Sequence, residues 1–220
     1  MAENPKYWSD KWLRVSELNV KEVMESRVVQ LVSGIQFARH QKAVEVLGQL
    51  FDALSADKLP RLKIIIGLDL GFTYLTDAQV TDIFTVMANC KSLPLYDLDI
   101  SGNDLTSVPA EDLGRAVSRI KKFDMSEASL TPSQITQIFT VIAEGESNLE
   151  ELEAPYYNLT NLPGGILVKA IAMLKSVNLC GGERNQDDAY DIYEYIHEYV
   201  DMRPPKLRYL CLDDDNVLEW

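Results

Sequence analysis

The sequence predicts an α/β repeat fold: a curved solenoid with a parallel β-sheet on its concave face, helices on its convex face and a helical cap at the N-terminal end. Three observations predict it. One apolar pattern recurs six times in a single frame, the interval between copies alternates long and short, and each strand-like core is followed by a segment of helical period.

In chain order, Trp8, Trp12, Leu13 and Val15 open an amphipathic stretch, and Ala43, Val46, Leu47, Leu50, Phe51 and Leu54 make one face of a helix. Between them Val28, Val29, Leu31 and Val32 are β-branched enough for a strand. Residues 1–60 are therefore expected to form a helical cap with one degenerate first repeat. Such a cap covers the end of a core that would otherwise face water. Residues 61–220 form the array, and no linker or low-complexity run separates the two parts, so they make one continuous structural domain.

The clean copy of the pattern is Leu95, Leu98, Ile100, Asn103 and Leu105. The same frame takes in Ile65, Leu68, Leu70, Thr73 and Leu75 upstream. Downstream it takes in Ile120, Phe123, Met125, Ala128 and Leu130, then Leu149, Leu152, Ala154, Tyr157 and Leu159. Leu174, Val177 and Leu179 open a copy that degenerates at Gly181, and Leu207, Leu210, Leu212, Asp215 and Val217 make the last. The central residues 68, 98, 123, 152, 177 and 210 are spaced 30, 25, 29, 25 and 33 apart. Long units resemble long units in detail: Leu75, Thr76, Gln79, Ile83 and Phe84 recur as Leu130, Thr131, Gln134, Ile138 and Phe139. Thr76 and Thr131, each with Gln three residues on, predict capping boxes that start helices. Val80, Ile83, Phe84 and Met87, and Ile135, Ile138, Phe139 and Ile142, follow helical spacing, as do Leu113, Ala116, Val117 and Ile120 against Leu167, Ala170, Ile171 and Leu174. After 183, Ala189, Ile192, Tyr193 and Ile196 predict a Tyr-rich helix ended by Pro204 and Pro205.

This pattern resembles the leucine-rich repeat family, and the alternation of long and short units is similar to its ribonuclease-inhibitor-like subclass. The resemblance runs from about residue 64 to residue 217. It implies stacked strand–helix units and, by analogy of fold, a protein-binding surface. Thr73, Ala128, Tyr157 and Asp215 stand where the family's turn ladder carries Asn or Cys, so an irregular ladder is expected.

Composition bounds the function. Of 220 residues, 25% are charged and 46% hydrophobic, the balance of a globular chain, and the net charge is −13. So acidic a surface disfavours nucleic acid and anionic membrane and suits a basic partner. No uncharged apolar run is long enough for a membrane span, and the first residues carry no signal-peptide pattern, so a cytoplasmic chain is expected. Cys90, Cys180 and Cys211 are odd in number and far apart, and read as free thiols. His40 and His197 have no second ligand at a helical or turn spacing, so no metal and no cofactor is expected. The run from Asp97 to Ser101 imitates half a calcium loop, but Val108 stands where that loop needs a bidentate Glu. No nucleophile motif or phosphate loop is present, and no catalytic residue is assigned.

What remains is the sheet face. If alternate strand residues point inward, the residue after each central one is Asp69, Asp99, Asp124, Glu153, Asn178 and Cys211 in successive units. Four carboxylates on four consecutive strands make a column, with Lys121, Lys122 and Lys175 near enough to offset part of its charge. Asp97 and Glu151 belong to the same strands, and Phe72, Tyr96, Tyr156 and Tyr209 fall at strand or strand-exit positions. Carboxylates interleaved with aromatics suit protein recognition. The expected function is a non-catalytic module that binds a basic protein or peptide through these ten residues. Two other readings stand beside it: a structural subunit meeting a neighbour at its C-terminal edge, and a regulator of an enzyme such as a nuclease or small GTPase.

Overall fold

The computed structural model describes residues 12–15, 34–37, 67–89, 95–163, 165–181, 206–213 and 216–219. Within them nine strands lie side by side in chain order in a single sheet: β1 (Trp12–Val15), β2 (Gly34–Phe37), β3 (Gly67–Asp69), β4 (Asp97–Asp99), β5 (Lys122–Asp124), β6 (Glu151–Glu153), β7 (Ser176–Asn178), β8 (Tyr209–Asp213) and β9 (Asn216–Glu219). Strands β1 to β8 are all parallel. Parallel neighbours need a crossover between them. Four described helices supply it between β3 and β7: α1 (Asp77–Asn89), α2 (Ala110–Val117), α3 (Pro132–Ala143) and α4 (Ile166–Met173). Each helix packs on the next. None of the described helices is long and apolar enough to cross a membrane.

The strands are three to five residues long, so the helices and the central strand side chains carry the packing. Leu68, Leu98, Phe123, Leu152, Val177 and Leu210 are paired from strand to strand and all buried, as the repeat frame predicts. They share one apolar cluster with Val80, Ile83, Phe84 and Met87 of α1 and Ile135, Ile138, Phe139 and Ile142 of α3. The two shorter helices add Leu113, Ala116, Val117, Leu167, Ala170 and Ile171. Both capping boxes form. Thr76 and Thr131 accept the backbone N–H of Gln79 and Gln134, and the Gln side chains accept the Thr N–H in return. Gln134 is itself buried, and its amide donates to the carbonyls of Leu105 and Val108, tying α3 to the preceding unit's loop.

The ladder of hydrogen bonds continues past the strands into the turns. Leu70 N–H donates to the Asp99 carbonyl, Ile100 to Asp124, Met125 to Glu153, Ala154 to Asn178 and Leu179 to Cys211. Two residues on, Phe72 donates to Ser101, Gly102 to Ser126 and Tyr156 to Cys180. That second position is left-handed in every unit from β3 to β7: Phe72, Gly102, Glu127, Tyr156 and Gly181 have φ of 53, 65, 57, 64 and 66°. Bulky residues rarely adopt this conformation, and here Phe72 and Tyr156 each lie over a glycine of the next turn. A Cβ on Gly102 would come within 2.2 Å of the Phe72 ring, and one on Gly181 within 2.4 Å of the Tyr156 ring.

The expected irregularity of the turn ladder is filled by other chemistry. Asn103, buried, donates to the carbonyls of Leu70, Ile100 and Ser101 and accepts from Leu75 N–H and the Thr73 hydroxyl. Ala128 can do none of this. The hydroxyl of Tyr157, one unit on, reaches back to the carbonyls of Met125 and Ala128 instead. Burial holds that phenol protonated, its pKa pushed well above the ordinary value.

Three expectations need correcting. Trp12, Leu13 and Val15 belong to a strand, β1, and a second strand sits at Gly34–Phe37, so the N-terminal part contributes two strands to the sheet. The strand expected at 28–32 and the helices expected around 43–54 and 189–196 lie outside the described residues, as do Trp8, Cys90 and Trp220. At the other end the frame fails after Leu212: the chain reverses, and β9 pairs antiparallel with β8, setting Val217 opposite Cys211 and Leu218 opposite Leu210. The last copy of the pattern thus ends in edge pairing of a strand. Finally, Cys180 and Cys211 are not free thiols. The parallel pairing of β7 and β8 brings their Cα atoms to 5.5 Å, and their sulfurs form a disulfide.

Phe84 and Phe139 occupy equivalent, fully buried places between helix and sheet. Phe84→Ala and Phe139→Ala should each lower stability by about 3–5 kcal/mol in chemical denaturation. Losses under about 1 kcal/mol for both would contradict the packing described.

Candidate functional site

The residues on either side of each central strand residue point to the face opposite the helices, because strand side chains alternate. They form two rows. The outer row contains Asp97, Lys122, Glu151, Ser176 and Tyr209, and the inner row Asp69, Asp99, Asp124, Glu153, Asn178 and Cys211, each residue the register partner of the next. The column of four carboxylates is therefore brought together as expected, on neighbouring strands about 4.8 Å apart. Asp97, Glu151 and Tyr209 share its face.

The column is not the open comb that alternation alone suggests. Asp69 is only 6% exposed, and Asp99, Asp124 and Glu153 are half-buried. Each aspartate uses one oxygen to accept the backbone N–H two residues on: Gly71 to Asp69, Ser101 to Asp99 and Ser126 to Asp124, each at 2.9 Å. The Ser101 hydroxyl adds a second bond to Asp99 at 2.7 Å. Asn178 repeats the motif with Cys180 N–H at 3.1 Å, and its amide donates to Glu153 at 2.8 Å. These carboxylates build the turns that carry the left-handed residues. The signal was in the sequence as Asp or Asn followed two residues later by Gly, Ser or Cys, and the reading from alternation passed over it.

Crowding and burial perturb the row. Burial pushes Asp99 up to about 7, helped by the charges of Asp124 and Asp69 and opposed by its Ser101 hydrogen bonds. Burial likewise pushes Asp97 up to about 6, against the pull of Lys122. Glu153 is raised for the same reason, with the Asn178 hydrogen bond opposing. The nitrogen of Lys122 lies 3.6 Å from Glu151 and offsets part of the outer row.

The aromatic residues separate into different settings. Tyr96 precedes β4 and is 40% exposed, with the Lys121 ammonium 5.3 Å from its ring centre. It starts a chain of alternating charge across the strand entrances: Lys121 to Glu150 at 3.2 Å and Glu150 to Lys175 at 2.7 Å. Glu150, unremarked in the sequence, is held below the ordinary carboxylate range mainly by its Lys175 hydrogen bond. Tyr156 sits at the opposite end of the strands, in the turn after β6, 70% exposed while its ring covers Gly181. Phe72 occupies the same turn position after β3 and is half-buried over Gly102, while the neighbouring Tyr74 is 71% exposed. Tyr209 is half-buried on the sheet face itself. No model of a known protein family matches the chain, and no curated protein matches it significantly.

The raised Asp99 carries a consequence for stability. Between its ordinary 3.8 and about 7 the folded chain keeps a proton that the unfolded chain has lost, so stability falls as pH rises through that window. Asp99→Asn should flatten the stability–pH curve between about pH 4 and pH 7 and raise stability at pH 8 by about 1–3 kcal/mol. A variant curve as steep as that of the wild type would contradict the burial of this charge.

Proposed function

We propose that the chain is a leucine-rich repeat solenoid that acts as a non-catalytic protein-binding module, holding a basic protein or peptide segment on its acidic sheet face. The observation that carries this reading is the row of carboxylates on four consecutive strands in one register. It is joined on the same face by Asp97 and Glu151 and bounded at the two strand ends by exposed Tyr96 and Tyr156. The in-order parallel sheet and the left-handed turn residue recurring from unit to unit support the solenoid reading. Lysine or arginine groups laid across the strands would relieve the like-charge crowding, and the exposed tyrosines would add apolar contact at either end. The open edge at which a neighbouring subunit was expected is filled on β8 by β9.

A labelled deca-lysine peptide, titrated at pH 8 and at low and moderate salt, tests the reading. Asp99→Asn combined with Asp124→Asn keeps the turn oxygens, as Asn178 already does. It should weaken binding about threefold to tenfold at low salt, with an association rate in the wild type that falls steeply as salt is added. Equal affinity of wild type and variant at low salt would remove the acidic row from the binding surface.

A further inference from the structure

The disulfide joins the turn after β7 to β8. Cys211 is 2% exposed in β8, the strand that carries the terminal hairpin with β9. Cys180 is half-buried in the turn after β7, 31 residues earlier in sequence. Its carbonyl accepts the N–H of Tyr156, and the Tyr156 ring covers the next residue, Gly181. Among the described residues β8 also meets β7 through a register of three residues, Ser176 to Tyr209, Val177 to Leu210 and Asn178 to Cys211, through the Leu179 N–H that donates to the Cys211 carbonyl, and through Leu207 and Leu210 in the shared core. The N–H groups of Arg208 and Tyr209 add bonds to the Lys175 carbonyl. Cys211 is the register partner of Asn178, and Cys180, two residues on in the turn, has its Cα 5.5 Å from that of Cys211, within the usual span of a disulfide.

We propose that Cys180 and Cys211 form a redox-switched clasp that fastens the β8–β9 hairpin, and the turn beneath Tyr156, to the preceding units. A small thiol such as glutathione opens it. Its thiolate attacks the more accessible Cys180 sulfur, giving a mixed disulfide and releasing Cys211 as a thiolate that takes up a proton. A second glutathione thiolate then attacks the glutathione sulfur of that mixed disulfide and releases Cys180. Two glutathione thiols become one glutathione disulfide, and two electrons and two protons pass to the protein pair. Glutathione disulfide closes the clasp by the reverse exchange. The clasp does not depend on what the acidic face binds.

The full chain, equilibrated in glutathione buffers from fully reduced to fully oxidised, provides the test. Cysteines are counted by alkylation under denaturing conditions, and the same samples are melted and exposed briefly to protease. Alkylatable cysteines should fall from three to one, leaving Cys90, as the buffer becomes oxidising. The melting temperature should rise by about 5–10 °C, and cleavage within 206–219 should be suppressed. Cys180→Ser and Cys211→Ser should both keep the reduced form's melting temperature and cleavage in every buffer, with the reduced wild type as the reference for a folded dithiol. Three alkylatable cysteines throughout, a bond that includes Cys90, or a Cys180–Cys211 bond that leaves melting or cleavage unchanged would overturn the clasp.

Discussion

A backbone hydrogen bond from one unit to the same position of the next, repeated without a slip, is the constraint on which the rest of this structure depends. The strands are too short to hold a sheet by themselves. The ladder runs on through the turn, from Leu70 and Phe72 to Asp99 and Ser101 and so on to Cys211. Because the register does not shift from β3 to β8, the central residues stack into one buried row, and their flanking residues stack into rows on the opposite face. A slip of one residue would put carboxylates among the helices and leucines in water. Burial of the central row is therefore what fixes the acidic row, and the acidic row in turn supplies the carbonyl-like oxygens that hold the turns.

That reciprocity explains why like charges persist side by side. Two carboxylates about 4.8 Å apart repel by roughly 0.8 kcal/mol even at the dielectric of water. Each aspartate of the row gains a hydrogen bond from a backbone N–H that the left-handed turn would otherwise leave unpaired. Part of the repulsion is avoided by protonation, since burial holds Asp99 near neutrality and Asp97 not far below it. A basic partner would favour the charged forms of Asp97 and Asp99, so docking and proton release would be linked through these two residues.

The repeat was legible because it is written in identities as well as in period. Ile83 and Phe84 recur as Ile138 and Phe139, and both threonine caps close their boxes. Trp12-Leu13-Arg14-Val15 was not legible. Four residues carry too little periodicity to separate a strand from the start of a helix, and only the pairing Leu13 to Ile35 to Leu68 identifies them. Tyr157 and the disulfide belong to the same class. The hydroxyl that replaces the missing group at Ala128 comes from the next unit, and Cys180 meets Cys211 through strand pairing across a long stretch of chain. In the candidate site the positions of the carboxylates were legible, but their burial and their turn-forming bonds were not. Alternation tells which face a side chain takes and says nothing of what its oxygens accept.

Residue-resolved amide hydrogen exchange tests the continuous ladder most directly. The N–H groups of Phe72, Gly102 and Tyr156 lie in turns, outside every strand, yet each donates to a carbonyl of the next unit. They should exchange as slowly as those of Ile100, Met125 and Ala154 at the strand exits. Rapid exchange at the three turn amides, with protection confined to the strands, would contradict a register carried from unit to unit through the turns.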